Sequence, residues 1–151
     1  MLKFLNSKKL LGSIFIGLTL LPSQSLRAEK LTFVVSKEMN ITSMPFADLK
    51  KIYLGVRKRW PDGSAVKLGV PTLQSKEMEK VLTYIYKMNL QKYNSFWLEK
   101  VFNGEGQAPA ILASASDCIS MVKQTKGAVC LVNETDLVAD VTPIKIDDSP
   151  F

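Results

Sequence analysis

The stretch from Ser114 to Val132, SASDCISMVKQTKGAVCLV, carries the clearest sign of how this chain folds. Ser114 and Asp117 stand at the spacing of a capping box, which predicts a helix over Ala115–Gln124. Gly127 then opens a short, wholly apolar run that predicts a buried strand. A capped helix that turns directly into a buried strand is typical of a mixed α/β domain.

Alternating strand and helix patterns fill the chain on either side of this stretch. Further strands are predicted at Leu31–Val35, Ala65–Val70 and Val141–Ile146. Further helices are predicted at Phe46–Leu54, Ser75–Met88 and Leu90–Val101. Gly55 and Asn89 have the residue types of a helix C-cap and N-cap, and the polar segment 36–45 predicts a loop. Pro143 places the last strand at a sheet edge, because proline has no N–H to donate to a ladder. We interpret the whole as one mixed-sheet α/β lobe flanked by helices.

Composition excludes several classes of enzyme. The 151 residues are 46% hydrophobic and 23% charged, which is ordinary for a globular domain. The sequence has no histidine, so neither a Ser-His-Asp triad nor a His-ligated metal is available. Its two cysteines are too few for a four-thiolate zinc site. We therefore expect a protein without catalytic activity, cofactor or metal.

The first 28 residues have the layout of a secretory signal peptide. Three lysines precede the apolar run Leu10–Leu21, and small residues follow it up to Ala28. This run of 12 residues is short for a membrane span, although an uncleaved anchor or a buried helix are the alternatives. We expect cleavage after Ala28, with cleavage after Ser25 as the alternative. The mature domain, residues 29–151, is then periplasmic and has no stable membrane insertion.

The positive charge belongs mainly to the same N-terminal segment. The net charge is +6, from 20 basic and 14 acidic residues. Four of the bases lie in residues 1–28, so 16 bases face 14 acids in the remainder, a net charge of only +2. A charge this small does not support nucleic-acid binding by the folded domain.

Cys118 and Cys130 would meet an oxidising compartment after export. A helix that ends near Gln124 and a strand that begins at Gly127 run back against each other, so the two cysteines reach a similar level. A disulfide then depends on which face of the strand Cys130 occupies, because the Cα atoms must approach within about 7 Å. Two small buried hydrophobic residues are the alternative.

Two features are candidates for binding. Gln74, Ser75 and Lys76 stand at the predicted start of a long helix, where free N–H groups attract anions, although Glu77 opposes this. The second feature is a basic cluster, either a solvated helix end or a docking surface for an acidic partner or lipid headgroup. Its members are Lys50, Lys51, Arg57, Lys58 and Arg59.

An ordered set of motifs resembles the phosphate-binding proteins of bacterial ABC uptake systems. Residues 47–55 (ADLKKIYLG) followed by 59–64 (RWPDGS) are similar to the family segment L-x-x-I-[FY]-L-G … W-x-D-G. Phe96-Trp97 then leads to Phe102-Asn103-Gly104, and GAVCLV at 127–132 is similar to the family strand G-A-I-G-Y-V. The resemblance covers about residues 31–132 and matches the second of the two lobes of that family.

The resemblance implies a periplasmic-binding-protein type II fold and an anion site at the helix that begins after Ser75. In the family, an Arg followed by Ser-Gly-Thr holds the anion. Ser75 matches the serine, whereas Lys76 and Glu77 replace Gly and Thr, and Pro71 or a neighbour stands in place of the Arg. We therefore expect an exported substrate-binding-protein-like module for phosphate or another small oxyanion, working with an ABC transporter. The alternative is a single-lobe adaptor that binds another envelope protein and no small molecule.

Overall fold

The computed structural model describes residues 29–151. The predicted signal peptide, residues 1–28, lies outside the described residues. The strands are β1 Leu31–Ser36, β2 Ser43–Pro45, β3 Lys67–Pro71, β4 Ala110–Leu112, β5 Ala128–Asn133 and β6 Val141–Asp147. The helices are α1 Phe46–Tyr53, α2 Lys76–Lys80 with a π-helical continuation Val81–Tyr86, α3 Leu90–Phe102 and α4 Ala115–Gln124. Two short 3-10 turns, Lys37–Met39 and Glu134–Asp136, complete the chain path.

The six strands form one mixed sheet in the order β2-β6-β1-β5-β3-β4. β1 is antiparallel to both of its neighbours, β5 and β6, whereas β3 is parallel to both β4 and β5. This topology confirms the predicted α/β class and the mixed sheet. It also brings the carboxyl ends of β3, β4 and β5 to one edge of the sheet.

The alternation of side chains along β1 and β5 separates two cores. Phe33 and Leu131 point to one face, where helices α1 to α3 pack, together with Leu49, Ile52, Met78, Val81 and Trp97. Val34 and Cys130 point to the other face, where α4 packs with Cys118 and Val122. Because β5 is buried on both faces, all of its residues from Ala128 to Val132 are buried, as its apolar sequence predicted.

The prediction that the Val141–Ile146 strand lies at the sheet edge is wrong, because β6 lies between β2 and β1. Lys145 donates its N–H to Thr42 in the segment leading into β2. N–H directions alternate along a strand, so the nitrogen of Pro143 faces the same side as that of Lys145. β2 pairs only from Lys145 onward, so Pro143 faces no strand there and its missing N–H is tolerated.

The predicted helix Ser75–Met88 is shorter and less regular in the structure. Ser75 is its N-cap, but the second half is π-helical and ends at Tyr86, after which Lys87 adopts a left-handed φ of 53°. Valine, threonine, isoleucine and tyrosine dominate Val81–Tyr86, and these residues have weaker α-helical preference. Strands β2 and β4 were not predicted, since three residues each carry too little pattern.

Two buried aromatic side chains, those of Trp97 and Tyr86, connect the helical layer through hydrogen bonds that end at a main-chain carbonyl of α1. Trp97 Nε1 donates to the hydroxyl of Tyr86 at 3.3 Å, and that hydroxyl donates to the carbonyl of Tyr53 at 2.7 Å. The ring of Tyr93 packs edge-on against Tyr86 with centroids 4.8 Å apart. Burial raises the pKa of Tyr53 and of Tyr86 well above the ordinary value, and it raises the pKa of Tyr93 to about 12.

Because these tyrosines are buried, we expect the protein to lose stability at alkaline pH. An unfolded tyrosine ionises near pH 10, whereas Tyr93 stays protonated in the folded state to about pH 12. Above pH 10 the unfolded state therefore binds fewer protons than the folded state, and the free energy of unfolding falls as pH rises. In urea denaturation from pH 8 to 11.5, we expect the free energy of unfolding of Tyr93→Phe to decline less steeply than that of the wild type. An equal decline in both proteins would contradict this role of Tyr93, and the difference between them at pH 8 serves as the reference.

Candidate functional site

Three parallel strands and two helix starts meet at one edge of the sheet. β3, β4 and β5 end there at Pro71, Leu112 and Asn133, and α2 and α4 begin there after Ser75 and Ser114. A cavity of about 170 Å³ lies between these ends. Ligands of open α/β sheets bind outside the carboxyl ends of the strands, so this edge is the candidate site.

Each helix start is capped by a serine that also lines the cavity. The Oγ of Ser75 accepts the N–H of Met78 at 3.1 Å, and the Oγ of Ser114 accepts the N–H of Asp117 at 3.1 Å. Ser114 also donates its hydroxyl to the Asp117 carboxylate at 2.9 Å, a bond between side chains, so the structure shows the N-cap half of the predicted capping box. The remaining first-turn N–H groups of a helix lack intrahelical partners, so both starts carry positive potential.

Two further polar side chains line the cavity between the helix starts. The hydroxyl of Thr72 donates to the carbonyl of Leu112 at 3.4 Å and connects the end of β3 to the end of β4. Asn133 Oδ1 is buried and has no hydrogen-bond partner within residues 29–151. A buried polar atom left unpaired is costly, and because this oxygen is an acceptor, only a hydrogen-bond donor such as water would satisfy it.

The charges near the cavity are mostly negative. Glu77 and Asp136 line it, and Asp117 lies in the first turn of α4. Lys76 is the first residue of α2, but its side chain is exposed and it does not line the cavity. An anion bound here would meet favourable helix dipoles together with unfavourable carboxylates.

Of the predicted anion-binding residues, the structure places only Ser75 on the cavity wall. Gln74 and Lys76 flank it at the exposed helix start. The sequence identified Ser114 as a cap only and did not indicate Thr72 or Asn133 as binding residues. Thr72, Ser114 and Asn133 share one feature: each lies at or just after the carboxyl end of a strand.

The structure joins Cys118 and Cys130 by a disulfide, with their Cα atoms 5.9 Å apart. Cys130 lies on the face of β5 that packs against α4, which is the condition the sequence left open. Cys118 also lines the cavity. The bridge therefore ties the first half of α4, with its capped start, to the central strand β5.

The predicted basic cluster is divided among local partners. Lys51 and Arg57 both lie beside Asp48, at 3.1 and 3.5 Å, and Arg59 donates to the carbonyl of Gly63 at 2.8 Å. The amine of Lys50 lies 5.9 Å from the ring centre of Phe46. Lys58 is exposed and, like Arg57, lines a second cavity. A docking surface formed by all five cations stays a prediction.

Metal binding and membrane crossing have no structural support in residues 29–151. Within this part of the chain, no group of three or more Cys, Asp or Glu side chains is placed to hold a metal ion. None of its helices combines the length and the apolar character that a membrane crossing requires. Residues 1–28 are outside both statements.

Solved structures share this fold. The chain is similar to an ABC-type phosphate transport receptor from Vibrio cholerae (TM-score 0.62, 13% identity) and to PstS from Borrelia burgdorferi (0.59, 15%). Each match covers 79% of this chain and 47% of the other. A phosphate ABC transporter substrate-binding protein structure from Clostridium perfringens, with bound phosphate, aligns at a TM-score of 0.61 and 12% identity over 78% of this chain and 44% of its own. Comparisons with protein-family profiles and with curated proteins found no match.

These likenesses confirm the expected fold class. The chain spans somewhat less than half the length of the solved structures that it matches, so it has the fold of a single substrate-binding-protein lobe. At 12–15% identity the likeness is one of fold, and ligand binding has to be argued from the residues of this chain.

Proposed function

We propose that this protein is an exported, non-catalytic, single-lobe module that binds a small oxyanion, phosphate in the first place, for ABC-type uptake in the periplasm. The observation that supports it most is the meeting of two serine-capped helix starts, at Ser75 and Ser114, on one cavity beyond the carboxyl ends of three parallel strands. Such an arrangement offers N–H donors and positive potential to an anion. The fold shared with phosphate-binding structures supports the same proposal.

The carboxylates at the cavity favour phosphate over sulfate. Hydrogenphosphate carries a P–OH group that can donate a hydrogen bond to Glu77 or Asp136, whereas sulfate at neutral pH has no proton to donate. A carboxylate beside a bare oxyanion is purely repulsive. We therefore expect phosphate to bind weakly and sulfate more weakly still.

Calorimetric titration of the purified protein with phosphate and sulfate tests this proposal. We expect Lys76→Glu to weaken phosphate binding about fivefold, since it adds negative charge at an exposed position of the helix start. Glu77→Thr should strengthen the binding of both anions, sulfate more than phosphate. Glu79→Thr is the matched control, because Glu79 is exposed on the same helix and does not line the cavity.

Two results would contradict the oxyanion proposal. The first is no detectable heat with millimolar phosphate; the second is an equal gain from Glu77→Thr and Glu79→Thr. An equal gain would place the bound anion outside this cavity, whereas the absence of heat favours the second candidate, a single-lobe adaptor for another envelope protein. The observation that favours the adaptor is an apolar stripe on the outer face of α3, where Leu98, Val101 and Phe102 are 72%, 47% and 89% exposed.

A further inference from the structure

A second and larger cavity, of about 300 Å³, lies at the opposite edge of the sheet, where β3 and β4 begin. The end of α1, the middle of α3 and the loop 103–109 surround it. It shares no lining residue with the cavity near Ser75. Its size falls in the range of small-molecule pockets, which are mostly apolar with a few placed polar groups.

The floor of this cavity is apolar, formed by Ile52, Val66, Leu68, Trp97 and Met121. Gly55 allows the floor to form: it ends α1 at a φ of +68°, and a Cβ there would lie 3.2 Å from the indole of Trp97. With no side chain at this position, the indole of α3 approaches the end of α1 closely. A ligand with an apolar body would bury its surface against this floor.

The rim of the cavity is cationic. Four basic side chains line it, and Glu105 is the one acidic residue among its lining residues. The basic residues are Arg57, Lys58, Lys67 and Lys100. Lys100 and Arg57 each form an ion pair, with Glu105 and Asp48 respectively. The side chain of Lys100 is 18% exposed and that of Arg57 is 36% exposed, so Lys100 is the more enclosed of the two. Four cations around an apolar floor are complementary to a negatively charged, partly apolar ligand.

The loop 103–109 holds two of these cations with weak, replaceable contacts. Lys100 Nζ lies 3.3 Å from the carboxylate of Glu105, which is 53% exposed, and Lys67 Nζ donates to the side-chain carbonyl of Gln107 at 3.2 Å. Glu105 is more than half exposed, and an ion pair with so exposed a partner contributes little stability. The carboxylate of an entering ligand can therefore take the place of Glu105 at Lys100 at small cost.

We infer that this second cavity is a binding site for an organic anion with an apolar body, such as a medium-chain carboxylate. The apolar body lies against Val66, Leu68 and Met121, the partly exposed members of the floor, and the anionic group meets Lys100 and Lys67 at the rim. This inference is independent of the proposed oxyanion function, because the two cavities lie at opposite edges of the sheet.

Three probes with a ten-carbon chain separate charge from apolar burial: decanoate, decanol and decyltrimethylammonium. The two ions are titrated below their micelle concentrations and decanol below its solubility limit. We expect decanoate to bind at least about tenfold more tightly than decyltrimethylammonium, with decanol between them. Saturating phosphate should leave decanoate binding unchanged. Absence of decanoate binding, equal binding of anion and cation, or displacement by phosphate would overturn the inference.

Two variants with opposite expected effects on decanoate affinity test whether the anion binds at this rim. Lys100→Met keeps the apolar stem and removes the charge, so decanoate should bind about fivefold more weakly or worse. Glu105→Gln removes the competing carboxylate, so decanoate should bind about two- to threefold more tightly. Lys92→Gln is the matched control, since it removes one exposed charge from the same helix outside this cavity.

If Lys100→Met disturbs folding, Glu105→Gln still tests the inference through its expected gain in decanoate affinity. Glu105 is exposed, so replacing it leaves the apolar floor intact. If Glu105→Gln gives no gain, or if Lys92→Gln loses as much affinity as Lys100→Met, the anion is not held at this rim and the inference is wrong.

Discussion

Gly127→Ala is expected to lower the free energy of unfolding by about 3 kcal/mol or more, the largest effect of a single methyl group predicted for this protein. Gly127 has a φ of +83°, a conformation that costs an L-residue roughly 1–2 kcal/mol. A Cβ there would also overlap the backbone carbonyl oxygen of Ala65 and lie 3.3 Å from the ring of Trp60. A clash with backbone, unlike one with a flexible side chain, cannot be relieved by a new rotamer.

The backbone around Gly127 also has little freedom to move away. Its carbonyl accepts the indole N–H of the buried Trp60 at 2.8 Å and the N–H of Lys67 at 3.0 Å. Moving the segment to admit a methyl group would weaken both bonds, and the first of these is buried. These contacts join the turn between α4 and β5 to the start of β3. Losing them should therefore destabilise the whole sheet.

Urea denaturation of Gly127→Ala beside Gly63→Ala isolates the clash. Gly63 has nearly the same φ, +84°, but a Cβ there meets no atom within 4 Å. Gly63→Ala should therefore cost only about 1 kcal/mol, the contribution of backbone conformation. Equal losses in the two variants would show that conformation alone is responsible and that the turn yields to the added methyl group.

Removing the Cys118–Cys130 disulfide is expected to destabilise the domain by a similar amount, about 3 kcal/mol, in the chain-entropy account of a loop of this length. The bridge closes a separation of 12 residues, and both cysteines are buried, with 2% and 1% exposure. For a domain of this size the loss corresponds to a fall of roughly 10 °C or more in Tm. Replacing both residues by alanine avoids burying the unpaired hydroxyl that serine would introduce.

Thermal melts with and without a reductant, on wild type and on the double alanine variant, measure this contribution. The reductant should lower the Tm of the wild type and leave that of the variant unchanged. Thiol counting on denatured, non-reduced protein is the independent check, because an intact bridge leaves no free thiol in a chain with two cysteines. Two free thiols would mean that the pair acts only as packed core residues.

The helix boundaries that depend on a few neighbouring residues could be read from the sequence. Asn89 and Ser114 each accept an N–H three residues further along the chain, so a local pattern is enough to predict them. The apolar run of β5 likewise predicted its burial. Ser75 was identified as the start of a helix for the same reason, even though that helix becomes π-helical after Lys80.

The pairing of distant segments could not be read in this way. β4 is recognisable only beside β3, some forty residues earlier in the chain, and β2 only beside β6. Pro143 shows the same limit: its residue type suggested an edge strand, but what matters is that β2 stops short of it. These outcomes depend on neighbours that no local window contains.

The sequence by itself determined the α/β class, the capped helices and a pair of cysteines able to reach each other. Only the tertiary structure decided that Cys130 faces α4, that Ser75 and Ser114 share one cavity, and that Lys67 and Lys100 share another. The physical reason is that a side chain's chemistry is encoded locally, whereas a site requires the sheet order to bring the ends of several separate elements within a few ångströms of each other.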